Sequence, residues 1–110
     1  MSKPLVWLGN AKEVVSGFPN RVRVDIGHQL WLVQEGEPPD DWKPVTSVGA
    51  GVVELRVHHD NEYRVMYVAK FAEAVYVIHA FVKKTQRTSQ KDLELAEQRY
   101  KELVASRRRL

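Results

Sequence analysis

The sequence predicts an α+β domain: a mostly antiparallel sheet of about four strands, an N-terminal α-helical hairpin and a C-terminal helix. Three observations predict it. Apolar residues recur at helical spacing in residues 11–33 and again in 93–103, whereas 52–82 carry strand patterning. The paired helices are segregated from the run of strands, which argues for helices on one face of a sheet. The 110 residues suffice for one core and not for two, so residues 1–110 are read as a single domain.

Each element has its own signal. Lys3–Leu8 contains Leu-Val-Trp-Leu, a short apolar strand closed by Gly9-Asn10. From Ala11 the pattern turns helical, with Ala11, Val14, Val15 and Phe18 on one face. Pro19-Asn20 interrupts it, and proline is tolerated at the first turn of a second helix. That helix buries Val22, Ile26, Leu30 and Val33 and stops at Gly36. So short a break predicts an antiparallel helical hairpin. Glu35–Lys43 is acidic and turn-rich and reads as a loop, after which Gly49 and Gly51 permit a tight entry to the sheet.

Val52–His58 and Tyr63–Ala69 read as the strands of a hairpin around turn-forming residues at 58–62. Val75–Val82 is a third strand, apolar almost throughout to Ala80, hence expected to be central and covered on both faces. Ser89 with Asp92 three residues later is a variant capping box. Leu93, Ala96, Tyr100 and Leu103 supply the apolar face of the last helix. Trp7, Trp31 and Trp42 read as core or loop anchors.

Composition narrows the function classes. Hydrophobic content of 44% with 28% charged residues is ordinary for a soluble globular protein. No apolar run approaches the eighteen or so residues of a membrane span, and the N-terminus lacks signal-peptide features, so a cytoplasmic protein with no membrane partner is expected. The absence of cysteine excludes disulfides and zinc–thiolate sites. The net charge of +3 is uneven. Residues 1–82 carry eight Lys/Arg against ten Asp/Glu (−2), and 83–110 carry nine against four (+5). That is an electrostatic footprint suited to nucleic acid, set against the simpler reading of a solvated terminal helix.

The hairpin carries the chemistry. Arg56 and Arg64 are each flanked by apolar residues, and a charge in a half-buried strand is costly unless it reaches water or an anion. A three-residue turn at 59–61 sets His58 opposite Glu62 and Arg56 opposite Arg64, on one face. A two-residue turn at Asp60-Asn61 would send the arginines to opposite faces. Two like charges side by side suit an anionic ligand; the competing reading pairs each with Glu54 or Glu62 at the surface.

On the third strand His79, Phe81 and Lys83 alternate with Tyr76, Ile78, Ala80 and Val82. An imidazole, an aromatic plane and an ammonium on one face can move a proton, stack a base and hold a phosphate. The plainer alternatives are a core histidine and a solvated Lys83-Lys84 strand end. Adjacent His58 and His59 point to opposite sides with no third ligand at a sensible spacing, so no metal site is expected. No P-loop, dinucleotide-binding glycine pattern, nucleophile elbow or basic recognition helix is present.

These residues resemble the RelE/HigB superfamily of toxins from type II toxin–antitoxin systems, most closely its phage-derived HigB-like branch. The resemblance runs through Lys3–Gly9, Gln29–Val33, Lys43-Pro44 before Gly49 and Gly51, Val53–Arg56, Tyr63–Tyr67 and Val77–Thr85. It implies a RelE-like fold and a ribosome-dependent mRNA endoribonuclease that needs no cofactor or metal. In that chemistry the 2′-hydroxyl attacks the adjacent phosphate, leaving a 2′,3′-cyclic phosphate and a free 5′-hydroxyl.

By motif, the resemblance places Arg56 and Arg64 on the scissile phosphate, with Lys83 or Lys84 stabilising charge and His79 a candidate for proton transfer. Lys43, Phe81 and Arg87 would bind RNA. Some RelE-type enzymes carry a tyrosine where this chain has Asp92-Leu93-Glu94, which leaves the proton-transfer role open. The implied partners are mRNA, the ribosomal A site and a HigA-like helix-turn-helix antitoxin. The toxin would be monomeric when free and part of a larger complex with that antitoxin. The same scaffold also supports ParE-like gyrase poisons and inactive members kept as interaction modules.

Overall fold

Strand pairing organises the computed structural model, which describes residues 2–108. Five strands form one sheet in the order β1-β5-β4-β3-β2. They are β1 (Leu5–Trp7), β2 (Trp42–Pro44), β3 (Val52–His59), β4 (Asn61–Val68) and β5 (Val75–Lys83). All neighbours are antiparallel except β1 and β5, which run parallel. Three helices complete the α+β fold: α1 (Ala11–Ser16), α2 (Asn20–Gln34) and α3 (Gln90–Arg108).

Side-chain alternation splits the core into two layers. Leu55, Val57, Tyr63, Val65, Val75 and Val77 meet Ala11, Val15, Val22, Ile26, Leu30 and Val33 of α1 and α2. Val52, Met66, Val68 and Ile78, on the opposite face, meet Ala96 and Leu103 of α3. The sheet is therefore covered from both sides, and β5 is apolar at most positions because much of it is buried on both. The expectation of helices on one face is corrected: α1 and α2 share a face, and α3 takes the other.

Two further differences have local causes. Residues 42–44 pair with β3 as a fifth strand where a loop was expected. A three-residue edge strand gives little periodicity, and Pro44 is tolerated there because an edge position need not donate. The rest of the 35–41 stretch is a loop, tied to α2 by Gln29, whose Nε2 donates to Asp40 Oδ2 at 2.9 Å and whose Oε1 accepts from the Asp40 amide at 2.7 Å. Trp31 and Trp42, read as anchors, are about half exposed.

Helix ends follow the sequence closely. Gly36 has φ +85°, and the Glu37 amide donates to the Leu32 carbonyl at 2.9 Å, closing α2 as a left-handed glycine cap does. At α3 the Ser89 hydroxyl accepts from the Asp92 amide at 3.1 Å and donates to Asp92 Oδ2 at 2.6 Å. Gly49 lies under Tyr100, where a Cβ would come within 2.4 Å of the ring. The glycine lets α3 dock on the entry to β3.

Candidate functional site

The β3–β4 hairpin turns at Asp60 (φ +63°) and pairs His59 with Asn61, His58 with Glu62, and Arg56 with Arg64. This is the register in which both arginines share a face. Continuing across the sheet, Lys43 lies opposite Glu54, Glu54 opposite Met66, and Met66 opposite His79. A second row runs Arg56, Arg64, Phe81, and a third His58, Glu62, Lys83. Directly paired residues point the same way, so one face collects Lys43, Arg56, Arg64, His79, Phe81 and Lys83.

A bulge adds further β5 residues to that side of the sheet. Met66 pairs with His79 but Tyr67 pairs with Val77, so Ile78 is the extra residue of β5. Ile78 and His79 then both turn toward α3, while Ala80 returns to the α1–α2 layer. Strict alternation would have set Tyr76 and Ile78 on the side opposite His79 and Phe81. It is a position where uniform apolar sequence hides a change of face.

Glu54 is the residue whose weight the sequence understated. It is 2% exposed and stands between the two arginines, with Oε1 3.4 Å from Arg64 Nε and 3.6 Å from Arg56 Nε. Arg64 Nη2 reaches Glu62 Oε1 at 3.1 Å, and Nη1 donates to the Tyr63 carbonyl at 3.1 Å. His58 continues the chain, with Nδ1 2.8 Å from Glu62 Oε2 and Nε2 2.7 Å from Asp41 Oδ2. Charges therefore alternate in sign from Asp41 through His58, Glu62, Arg64 and Glu54 to Arg56.

This arrangement corrects the picture of two open guanidinium groups. Arg64 is 4% exposed and held by carboxylates, whereas the Arg56 side chain remains 24% exposed. Neither buried Nε–H meets hydrogen-bond geometry with any acceptor among the described residues. Each of the two lies beside Glu54 Oε1, at 3.6 and 3.4 Å, as an ion pair without a hydrogen bond. The hydrogen bond from His58, aided by that from Arg64, holds the Glu62 carboxyl below its usual range. Hydrogen bonds to Glu62 and Asp41 raise His58 above its ordinary value.

His79 is buried and fully engaged. Its Nε2 donates to Asp92 Oδ1 at 2.7 Å, and Arg99 Nη1 donates to its Nδ1 at 3.3 Å. Burial pushes its pKa down despite Asp92, which fits a neutral ring. Phe81 stacks on it at 5.3 Å and is itself buried. With both nitrogens occupied, His79 positions β5 against α3. Arg99 also binds the Ile78 carbonyl at 3.0 Å and Asn10 Oδ1 at 2.7 Å, a role no local sequence signal announces.

The remaining cations border the face. Lys43 is exposed on β2 and Lys83 half-buried opposite Glu62. Phe81, Lys83, Lys84, Ser89 and Asp92 line a small cavity of about 220 Å³ beside the site. Lys84 and Arg87 are exposed in the following loop. The structure thus gathers Lys43, Arg56, Arg64 and Lys83 on one face, with Lys84 and Arg87 at its margin, and withdraws His79 and Phe81 beneath α3. The adjacent histidines do diverge: His59 turns to Asp25 of α2. No helix among the described residues is long and apolar enough to cross a membrane.

No curated protein matches the chain. The profile of the family described as phage-derived protein Gp49-like (DUF891) does match, over residues 13–101, a span from α1 to α3 that includes the whole cationic face. The chain is a member of the Gp49-like phage-derived family.

Proposed function

We infer that this protein is a RelE/HigB-type toxin of a type II toxin–antitoxin module, an endoribonuclease that cleaves mRNA in the ribosomal A site. The observation that carries this reading is the Arg56–Arg64 pair held on a rigid sheet by one buried carboxylate. Membership of a phage-derived family is compatible with it.

The chemistry asks for little beyond position and charge. The 2′-hydroxyl attacks the adjacent phosphate in line, and the developing negative charge needs preorganised cationic donors. Arg56, with its partly exposed side chain, makes the phosphate contact. Arg64, fixed by Glu54 and Glu62, sets the position of Arg56 and keeps the local potential positive. Lys83 and Lys84 approach from the end of β5, and Lys43 and Arg87 hold flanking RNA backbone. Glu54 stabilises the like-charged pair while RNA is absent. A helix-turn-helix antitoxin would neutralise the toxin by covering this face.

A protein-binding toxin that cleaves no RNA is the second reading. Glu54, Glu62 and Asp41 favour it, because they offset much of the positive charge on the hairpin. Mapping mRNA 5′ ends after brief induction separates the two. Cuts phased to codons are expected for the nuclease; growth arrest with unphased, unchanged 5′ ends would overturn it.

A further inference from the structure

Opposite the face that α2 buries, Arg21, Val24, His28, Trp31 and Glu35 follow one another at spacings of three, four, three and four. That is the seam repeat of a helix that packs on a helix. Arg21, Val24, His28 and Trp31 all stand exposed on the helix. Val24 is 62% exposed and Trp31 51%, and His28 stacks on Trp31 with ring centroids 5.9 Å apart. Gly27 lies one turn from both Val24 and Trp31, and a Cβ built there has nothing within 4 Å. A glycine inside a helix weakens it, and here no neighbour in the chain requires one.

We propose that α2 is a self-association surface, pairing antiparallel with α2 of a second copy about a two-fold axis near Gly27-His28. Charge selects the occupant. The seam is basic at its start, Arg21, and acidic just past the helix end, Glu35, whose carboxylate also accepts from Ser2. Two antiparallel copies place each Arg21 opposite the other's Glu35; a parallel pair would oppose like charges. Trp31 of each copy then lies along the Val24–Gly27 notch of the other, where the missing Cβ admits an indole. This departs from the monomer that the family resemblance implies, and it is independent of the RNA chemistry. The surface lies on the opposite side of the sheet from the cationic face. A single helix pair buries less than the roughly 1,000 Å² of a stable interface, so dissociation in the micromolar to millimolar range is expected.

Sedimentation equilibrium up to about 500 μM reads the association directly. Wild type should show a monomer–dimer equilibrium, and Trp31→Glu should be monomeric throughout. Gly27→Ala should raise the unfolding temperature of the monomer while weakening the dimer at least tenfold, opposite signs that a purely structural glycine would not give. Arg21→Glu and Glu35→Arg should each be monomeric, and an equimolar mixture of the two should recover dimer, since every end pair is then attractive. A wild type that stays monomeric at the top concentration would overturn the proposal. So would dimers that survive Trp31→Glu, or a charge-swap mixture that fails to associate.

Discussion

Glu54 explains how two guanidinium groups share one face of a sheet without an anion bound. Moving a carboxylate out of water is unfavourable by several kcal/mol, and two flanking cations at 3.4 and 3.6 Å offset it. Alternation in Val53-Glu54-Leu55-Arg56 already put Glu54 and Arg56 on one face, so the pairing was legible. Its burial was not, because alternation gives the face of a carboxylate and not how closely two guanidinium groups close around it. His58, at the other end of the chain of charges, makes a pH test. Its raised pKa means that it binds its proton more tightly folded than unfolded. The stabilisation from Glu62 and Asp41 is complete below the unfolded value near 6.5 and is lost as pH rises through the higher folded value. The site is half exposed, so the effect is modest. The gap in thermal midpoint between wild type and His58→Gln should therefore be larger at acidic than at alkaline pH. Equal gaps would show that the two carboxylates do not hold the ring.

At the scale of elements, Asp92 couples a helix cap to the sheet. One oxygen closes the Ser89 cap of α3 and the other accepts from His79. Asp92→Ala should remove both and lower unfolding stability by about 1–3 kcal/mol, measured by urea denaturation. Asp92→Asn, which retains a carbonyl acceptor for His79, should recover part of the loss. The cap was readable from Ser89-x-x-Asp92, whereas counting turn residues left two hairpin registers, of which the structure takes the one that pairs Arg56 with Arg64. The bulge at Ile78 was not readable, since Val77-Ile78-His79-Ala80 carries no glycine or charge to mark it. Nor was the face of α3: the spacing of Leu93, Ala96, Tyr100 and Leu103 says that a helix packs, not on which side. β2 escaped notice because three residues ending in proline give no period.

The whole molecule is a sheet with one side devoted to α1 and α2 and the other divided between α3 and a cationic margin. The outward face of α2 is a second, separate surface. Among the described residues after 82, Lys83, Lys84 and Arg87 border the site; others are spent on structure, as where Arg107 holds Glu73, whose carboxyl falls to about 2. Composition therefore overstated how much of that charge is free. The central claim is that Arg56, held beside Arg64, supplies the phosphate contact for RNA cleavage. Single-turnover cleavage of mRNA on purified, programmed ribosomes tests it most directly, with wild type and Arg56→Ala compared at matched unfolding midpoints. Loss of that contact in the transition state should slow cleavage by about a hundredfold, or about 3 kcal/mol, with wild-type product ending in a 2′,3′-cyclic phosphate. An Arg56→Ala protein that cleaves at the wild-type rate would contradict it.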